Sequence, residues 1–561
     1  MFDRTNPQTQ ASRDEQALPP DDQVRIEVLP VLDTPLGPNG GPVLDVGAIV
    51  VDGLVAMRQA DFSPVVEPFA GRPLDRAELG RLTDAIAARA RDAGYVLATA
   101  WIPEQTLIGG MLRVRIEEGR IDGVRIEGSD DPAIRRQLER LVGGRPVTLA
   151  ALQREVLLAD DLPGVSIRST RFDRDGERRI LVVDARRSDF GGSVLATTDG
   201  TKPLGPFRAR IDLDANGLIS PRDRVDLSFS ATPLEPDELA FFSARYTVVI
   251  NDRGTTVGAF GSYSRTEPGA YLANRELLGE SWQGGIRIRH PLMRSAKRSL
   301  WLETSAELQN LTQDSFGTLA RHDRIALVRL GFYGFAPLAG GNLQGRATVS
   351  QGIPTFGATP TGSPLASRID AEPDFTTLGW WLSWRRGIAP RVSLQLTSVG
   401  QLSTAPVLIG ESFSLGGTQF LRGYDFAQAV GDEGAAGLAE LRYDWPRALG
   451  AVRNVQLYAF ADAGTVSNLA AGRGGETLVS SGAGLRTDIT RDLDLDFEIA
   501  VPLAEDRYDT GDKTPRINVR VIPTCMDHDP RAQLRRPMVM MRQGWSMSLF
   551  QASQQWSTML S

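Results

Sequence analysis

The sequence predicts two tandem α+β modules followed by an all-β, 16-stranded antiparallel transmembrane barrel. Three observations carry that prediction. Residues 45 to 187 run through one order of elements twice. Beyond Asp189 a two-residue hydrophobic period continues for about 330 residues with no convincing helical stretch. Sixteen candidate strands of about ten residues lie between Phe190 and Ile522, an even number of the length that crosses a bilayer at a tilt.

Composition narrows the classes. The 561 residues are too many for one ordinary globular domain. No stretch approaches twenty uninterrupted apolar residues, so a bundle of membrane helices is excluded and any crossing is made by strands. Lys plus Arg number 62 against 69 Asp plus Glu, a net charge of -7 that leaves no general basic field for nucleic acid. The 57 Gly and 34 Pro suit many short strands joined by turns. Cys525 is alone, and His290, His322 and His528 lie far apart, so no disulfide framework, metal site or cofactor is expected. The G-x-S-x-G, G-x-x-x-x-G-K-[ST] and G-x-G-x-x-G fingerprints do not occur, and nothing asks for an enzyme.

Taken in order, residues 1 to 44 read as a flexible leader with at most one short helix. Its start carries Asp3, Arg4, Arg13, Asp14 and Glu15 and no apolar core, so no signal peptide is visible. The first module, 45 to 120, opens with AIVVDG as a strand. A helix follows with Asp75 as N-cap, Glu78 three residues on, Leu79, Leu82, Ile86 and Ala90 on one face, and Gly94 at its stop. YVLATAWI and MLRVRIEEG are then strands, with Gly109-Gly110 near the turn. The second module, 121 to 187, repeats this with GVRIEG, DPAIRRQLERLV, a helix from Thr148, and the strands VSIRSTRF and RRILVVDAR around Asp175-Gly176.

From 188 to 522 the alternation is strict. Phe207, Ala209, Ile211 and Leu213 alternate with Arg208, Arg210, Asp212 and Asp214; Leu493, Leu495, Phe497 and Ile499 alternate with Asp492, Asp494, Asp496 and Glu498. A half-buried soluble strand alternates in the same way, so no single segment decides. Sixteen strands with one charged face each fit better around a wet lumen, and closure leaves no edge unpaired, which lipid demands. Trp282, Trp301, Trp380, Trp381, Trp384, Tyr443, Trp445 and Tyr458 are candidates for interfacial belts. Short connections (Asn251 to Gly254) alternate with long ones (Gly352 to Phe375, Ser403 to Ala435). Residues 523 to 561 read as an atypical C-terminal tail.

The longest late loop contains GGTQFLRGYDF, and YAFADAG and SSGAGLR follow it. An (V/L)-R-G-(Y/F) tetrad, an F-x-D-x-G strand and a G-x-G-x-R strand, behind two such modules, resemble the two-partner secretion transporters. These TpsB proteins, of the haemolysin-activator and filamentous-haemagglutinin-transporter type, belong to the superfamily of the BamA insertase. The resemblance covers residues 45 to about 522. It places Leu421, Arg422, Gly423 and Tyr424 in a gating loop folded into the barrel. Phe460, Asp462 and Gly464 fall on one wall strand and Gly482, Gly484 and Arg486 on its neighbour, with Arg422 paired to Asp462. Strand parity agrees with that placement: Asp462 shares the Asn454, Gln456 and Tyr458 face, which should point to the lumen.

The resemblance names the modules POTRA, sets them in the periplasm and implies a cell outer-membrane location. It implies export of a large β-rich secreted partner (TpsA type), the alternative being a BamA-like assembly factor. Tyr95, Val96, Leu97, Ala98, Thr99, Ala100, Trp101 and Ile102 form the candidate edge for β-augmentation by cargo; in the other reading that hairpin only packs on Leu79, Leu82 and Ile86. Outer-membrane lipid and the secreted cargo are the expected partners, nucleic acid is not, and the chain is expected to be monomeric.

Overall fold

The computed structural model describes residues 25–26, 43–176, 178–446, 452, 454–469, 475–489 and 493–523. Most of the leader and the tail from 524 onward therefore lie outside the described residues. The chain divides into two compact units, the modules within Gln23–Arg187 and the barrel from Ser188.

In the first module the helix Arg76–Asp92 starts at a reciprocal cap. The Asp75 carboxylate accepts from the Glu78 N–H at 2.7 Å, and the Glu78 carboxylate accepts from the Asp75 N–H at 3.0 Å. Leu82, Ile86 and Ala90 are buried with Leu112, Val114 and Ile116 of the sheet, which runs in the order Ala48–Asp52, Met111–Glu117, Thr99–Trp101. Gly109 and Gly110, both with positive φ, turn the chain into Met111–Glu117. Helical turns at Gln59–Phe62, Ser63–Val66 and Glu67–Phe69 have no counterpart in the periodicity; Pro64 and Pro68 each sit in a first turn, where no backbone donor is needed. The second module contains the helices Pro132–Leu138, capped by Asp131, and Leu149–Asp160, capped by Thr148. They pack on the strands Val165–Asp175, Arg178–Arg187 and Gly123–Glu127.

Sixteen antiparallel strands close the barrel. They are β1 Phe190–Thr197, β2 Arg208–Asn216, β3 Asp223–Ala231, β4 Ala240–Val249, β5 Thr256–Thr266, β6 Leu277–Arg294, β7 Ser299–Ser315 and β8 Thr318–Leu338. There follow β9 Gly341–Gly352, β10 Thr376–Ala389, β11 Val392–Ser403, β12 Glu433–Asp444, β13 Asn454–Ser467, β14 Glu476–Asp488, β15 Leu493–Pro502 and β16 Arg516–Pro523. Every position of β1 pairs with β2, whereas among the described residues the closing ladder from β1 to β16 has two paired positions, Ala196↔Val521 and Thr197↔Arg520.

Burial is inverted relative to a water-soluble protein. Ile211, Leu213, Phe229, Leu308 and Ile499 are exposed, while Arg208, Arg210, Glu307, Gln309 and Glu498 are buried. The apolar face therefore points out and the charged face in, as a lipid-facing wall around a polar lumen requires. Trp282, Tyr443 and Trp445 lie outward, but three of the expected belt residues do not, Trp381 among them, which packs inside against Trp301 and Tyr333. Trp301 is buried and stacked on Tyr333 with ring centroids 4.8 Å apart, and Tyr458 faces the lumen, because both share the parity of the inward charged residues on their strands.

Candidate functional site

The connection 404–432 between β11 and β12 folds back into the barrel as a small hairpin, Phe413–Leu415 paired with Ala429–Gly431. Its tip carries Leu421 to Tyr424, all four buried or nearly so. Leu421 adopts φ 57°, the left-handed region that a branched residue enters only when its surroundings hold it there. What holds it is the wall. The Leu421 and Arg422 N–H groups donate to one Asp462 carboxylate oxygen at 2.8 and 3.2 Å, Ser480 Oγ donates to the other, and the Gly423 N–H donates to Ser480 Oγ at 3.2 Å.

The expected pairing of the Arg422 guanidinium with Asp462 is corrected. Arg422 Nη2 meets Glu440 and Nη1 meets Glu498, each at 2.7 Å. Asp462 is occupied by the loop's backbone instead, because the guanidinium, a side chain's length beyond the tip, reaches past it to the next inward acids of β12 and β15. Charge-assisted bonds of this length are the strong kind. Glu440 also accepts from Arg442 Nε at 2.6 Å and Arg486 Nη1 at 3.0 Å, so one buried carboxylate joins three guanidiniums. Glu498 also accepts from the Tyr458 hydroxyl at 2.8 Å.

The glycines of β14 make room for this cluster. Gly484 stands opposite Tyr458 and Gly482 opposite Phe460, and a Cβ at either would lie within 2.7 Å of those aromatic side chains. The two rings fill that space and present their faces to guanidiniums, Arg486 at 4.0 Å over Tyr458 and Arg422 at 4.2 Å over Phe460. Gly464, farther along β13, lets Leu415 of the hairpin approach. Tyr424 faces the other way, its hydroxyl donating to Val479 O and accepting from the Ala504 and Glu505 N–H groups of the last outer connection.

The structure thus brings together all ten residues expected at the loop and wall. The reading from sequence missed Glu440, Arg442, Tyr458 and Ser480 as participants, and gave Glu498 only a place on a polar face. Their signal was available in part: Glu440 and Arg442 are opposite charges two apart, on one face of the strand that follows the loop.

The candidate cargo edge is shorter than expected. Only Thr99–Trp101 is strand, while Tyr95 to Ala98 turn, the Ala98 N–H donating to Tyr95 O at 2.9 Å, and Ile102 lies past the strand end. Leu97 and Ala98 are buried, which an open edge does not allow, whereas Trp101 is 41% exposed. Arg179 of the second module covers the start of the strand, donating to Leu97 O at 3.0 Å, Thr99 Oγ1 at 3.2 Å and Glu117 at 3.0 Å. Burial pulls the Arg179 pKa below its ordinary value, with Glu117 opposing.

A closed barrel with apolar exterior, a loop held in its lumen and POTRA-type modules ahead of it define the class: an outer-membrane β-barrel transporter. Residues 176–487 match the family described as haemolysin secretion/activation protein ShlB/FhaC/HecB, and residues 44–119 match the POTRA domain of ShlB type. The heme/hemopexin transporter protein HuxB of Haemophilus influenzae (strain 86-028NP) is 21% identical over 405 residues, 69% of each chain. Outer membrane transporter CdiB of Escherichia coli is 28% identical over 200 residues, 35% of this chain and 32% of that one. The solved structure of CdiB from Escherichia coli shares the fold at TM-score 0.72 and 22% identity, covering 93% of this chain and 98% of that chain. CdiB from Acinetobacter baumannii does so at TM-score 0.62 and 16% identity, covering 92% and 96%. The chain belongs to the ShlB/FhaC/HecB family of two-partner secretion transporters, a family of translocators and not of enzymes.

Proposed function

We propose that this protein exports a large β-rich partner protein across the outer membrane, taking it from the periplasm through the barrel once the lumenal loop releases. The observation that carries the reading is Arg422, clamped between Glu440 and Glu498 with its loop across the bore. A diffusion pore has no use for such a clamp or for two modules ahead of it.

The modules face the periplasm and capture the unfolded partner, with Thr99–Trp101 as the strand edge that adds a cargo strand through backbone hydrogen bonds. Exposed Trp101 at that edge supports the reading. The barrel sits in lipid as a monomer through its outward Ile, Leu and Phe. Nucleotide-binding motifs are missing from the sequence, so folding of the partner outside the cell biases its passage.

When Arg422 leaves, Glu440 keeps Arg442 and Arg486 and Glu498 keeps the Tyr458 hydroxyl, so withdrawal of the tip leaves neither carboxylate of the clamp without a donor. That makes the clamp reversible. In Arg422→Ala, partner secretion is expected to be lost while the heat-modifiable band of the folded barrel persists on a gel; unimpaired secretion by that variant overturns the gating role.

A further inference from the structure

The lumenal loop touches the wall a second time, far from its tip. Near its start the turn Ile409–Glu411 sends the Glu411 side chain into the wall formed by β7, β8 and β9. Arg329 Nη2 of β8 meets it at 2.7 Å and Gln309 Nε2 of β7 at 3.0 Å, while Gln401 Nε2 of β11 donates to the Glu411 carbonyl at 2.8 Å. The rest of the Arg329 guanidinium is taken up by Glu307 at 3.2 Å and Ser350 Oγ at 2.6 Å. Glu411, Glu307 and Gln309 are all buried. In a ring of sixteen, β15 with Glu498 stands eight strands from β7, directly across the lumen.

Beside this contact lies a polar cavity of about 80 Å³. Six charged side chains line it: Arg287, Arg329 and Arg346, with Glu303, Glu307 and Glu411. The charges balance three to three, but only because the loop supplies one of the acids. Without Glu411 the wall presents three guanidiniums to two carboxylates.

We infer that Glu411 is a second latch of the lumenal loop, a positioning residue that holds the loop's root on the β7–β8 wall through Arg329 as Arg422 holds its tip on the opposite wall. This inference rests on the gating role proposed for the loop. The loop then spans the bore with a cation at one end and an anion at the other, each paired with opposite charge on the wall it meets. Leaving a buried charged donor or acceptor unmet is expensive, so either latch alone biases the loop inward.

Glu411→Gln keeps the shape of the side chain and its hydrogen bond from Gln309 while removing the charge. With the full-length variant in planar lipid bilayers, open events should become at least about tenfold more frequent. Ion preference should shift toward anions, because the cavity then carries one excess guanidinium. Arg329→Gln breaks the same pair from the wall side; it should raise opening likewise but shift preference toward cations. Wild-type opening in a heat-modifiable Glu411→Gln barrel, or a selectivity shift of the same sign in both variants, overturns the latch. Arg422→Ala separates the two claims. If it opens and loses export while both Glu411 and Arg329 variants behave as wild type, the latch fails alone; if it behaves as wild type, the gating role fails.

Discussion

Gly423 offers the sharpest test of how the loop tip is seated. A Cβ at that position would lie 2.6 Å from the Pro502 nitrogen, 2.7 Å from the Val501 carbonyl carbon and 2.9 Å from Ser480 Cβ. Two of these are backbone atoms of β15 and the third is the root of a short side chain, so none swings aside. In Gly423→Ala the tip must lift by several tenths of an ångström. It then loses the Gly423 N–H bond to Ser480 and drags Arg422 off its two carboxylates. Overpacking of this kind costs about 1 to 3 kcal/mol, and a shift of that size changes a two-state population by roughly 5- to 150-fold. The added methyl leaves every charge in place, so the effect is steric and confined to the seated state. Planar-bilayer recordings should show open events more frequent by that factor, with the heat-modifiable band unchanged. A folded Gly423→Ala barrel with wild-type conductance and wild-type export refutes the reasoning.

Two further predictions concern the modules. Arg179→Ala removes the donor to Leu97 O and Thr99 Oγ1, bonds to a charged group worth about 1.5 to 3 kcal/mol in total. Amide exchange from Tyr95 to Thr99 in the full-length protein should speed up by roughly tenfold or more, and unchanged protection there would show that the guanidinium is not what holds the turn. Glu78 is held below the ordinary carboxylate range by the Asp75 N–H and then by the Arg72 guanidinium. Its folded pKa is depressed, so its contribution is present above the unfolded value of 4.5 and fades as pH falls through the folded one. Helix protection at Arg76–Asp92 should therefore drop on acidification, less steeply in Glu78→Gln; identical acid profiles would remove the cap from the account.

Strand parity explains both what the sequence disclosed and what it withheld. Alternation along each strand tells inward from outward, so the letters of its own strand assign Asp462 to the lumen. Height along the barrel wall is different: it depends on register between strands, and register is a property of pairs. Leu438 stands opposite Asp462, Glu440 opposite Phe460 and Glu498 opposite Gly484, and these pairings bring Glu440 and Glu498 level with the reach of Arg422. Nothing in one strand's letters reports that offset, which is why the acid nearest in motif was paired with the arginine in place of the two nearest in space. The candidate cargo edge is shorter than expected for a related reason. Tyr95 to Ile102 has strand-like composition, but the turn after Gly94 and the reach of Arg179 from 80 residues downstream use up half of it. Trp301 shows the converse, an aromatic residue suited to a membrane interface that parity sends to the inside.

The short ladder between β1 and β16 bears on how the cylinder behaves under load. Among the described residues two paired positions join the first strand to the last, the Thr198 N–H continues them by donating to Val519 O at 3.1 Å, and side chains add to the joint: Thr198 Oγ1 accepts from the Val519 N–H at 3.1 Å and Arg520 reaches Asp199 at 3.1 Å. Each neighbouring joint has eight paired positions, so if a backbone rung contributes on the order of 1 kcal/mol the described hoop parts more readily at this joint than at either neighbour. Arg516 ties the same joint to the tip of the folded-in hairpin through Tyr424 O. The weakest stave of the cask and its stopper therefore share a fastening, and strain placed on one is felt by the other.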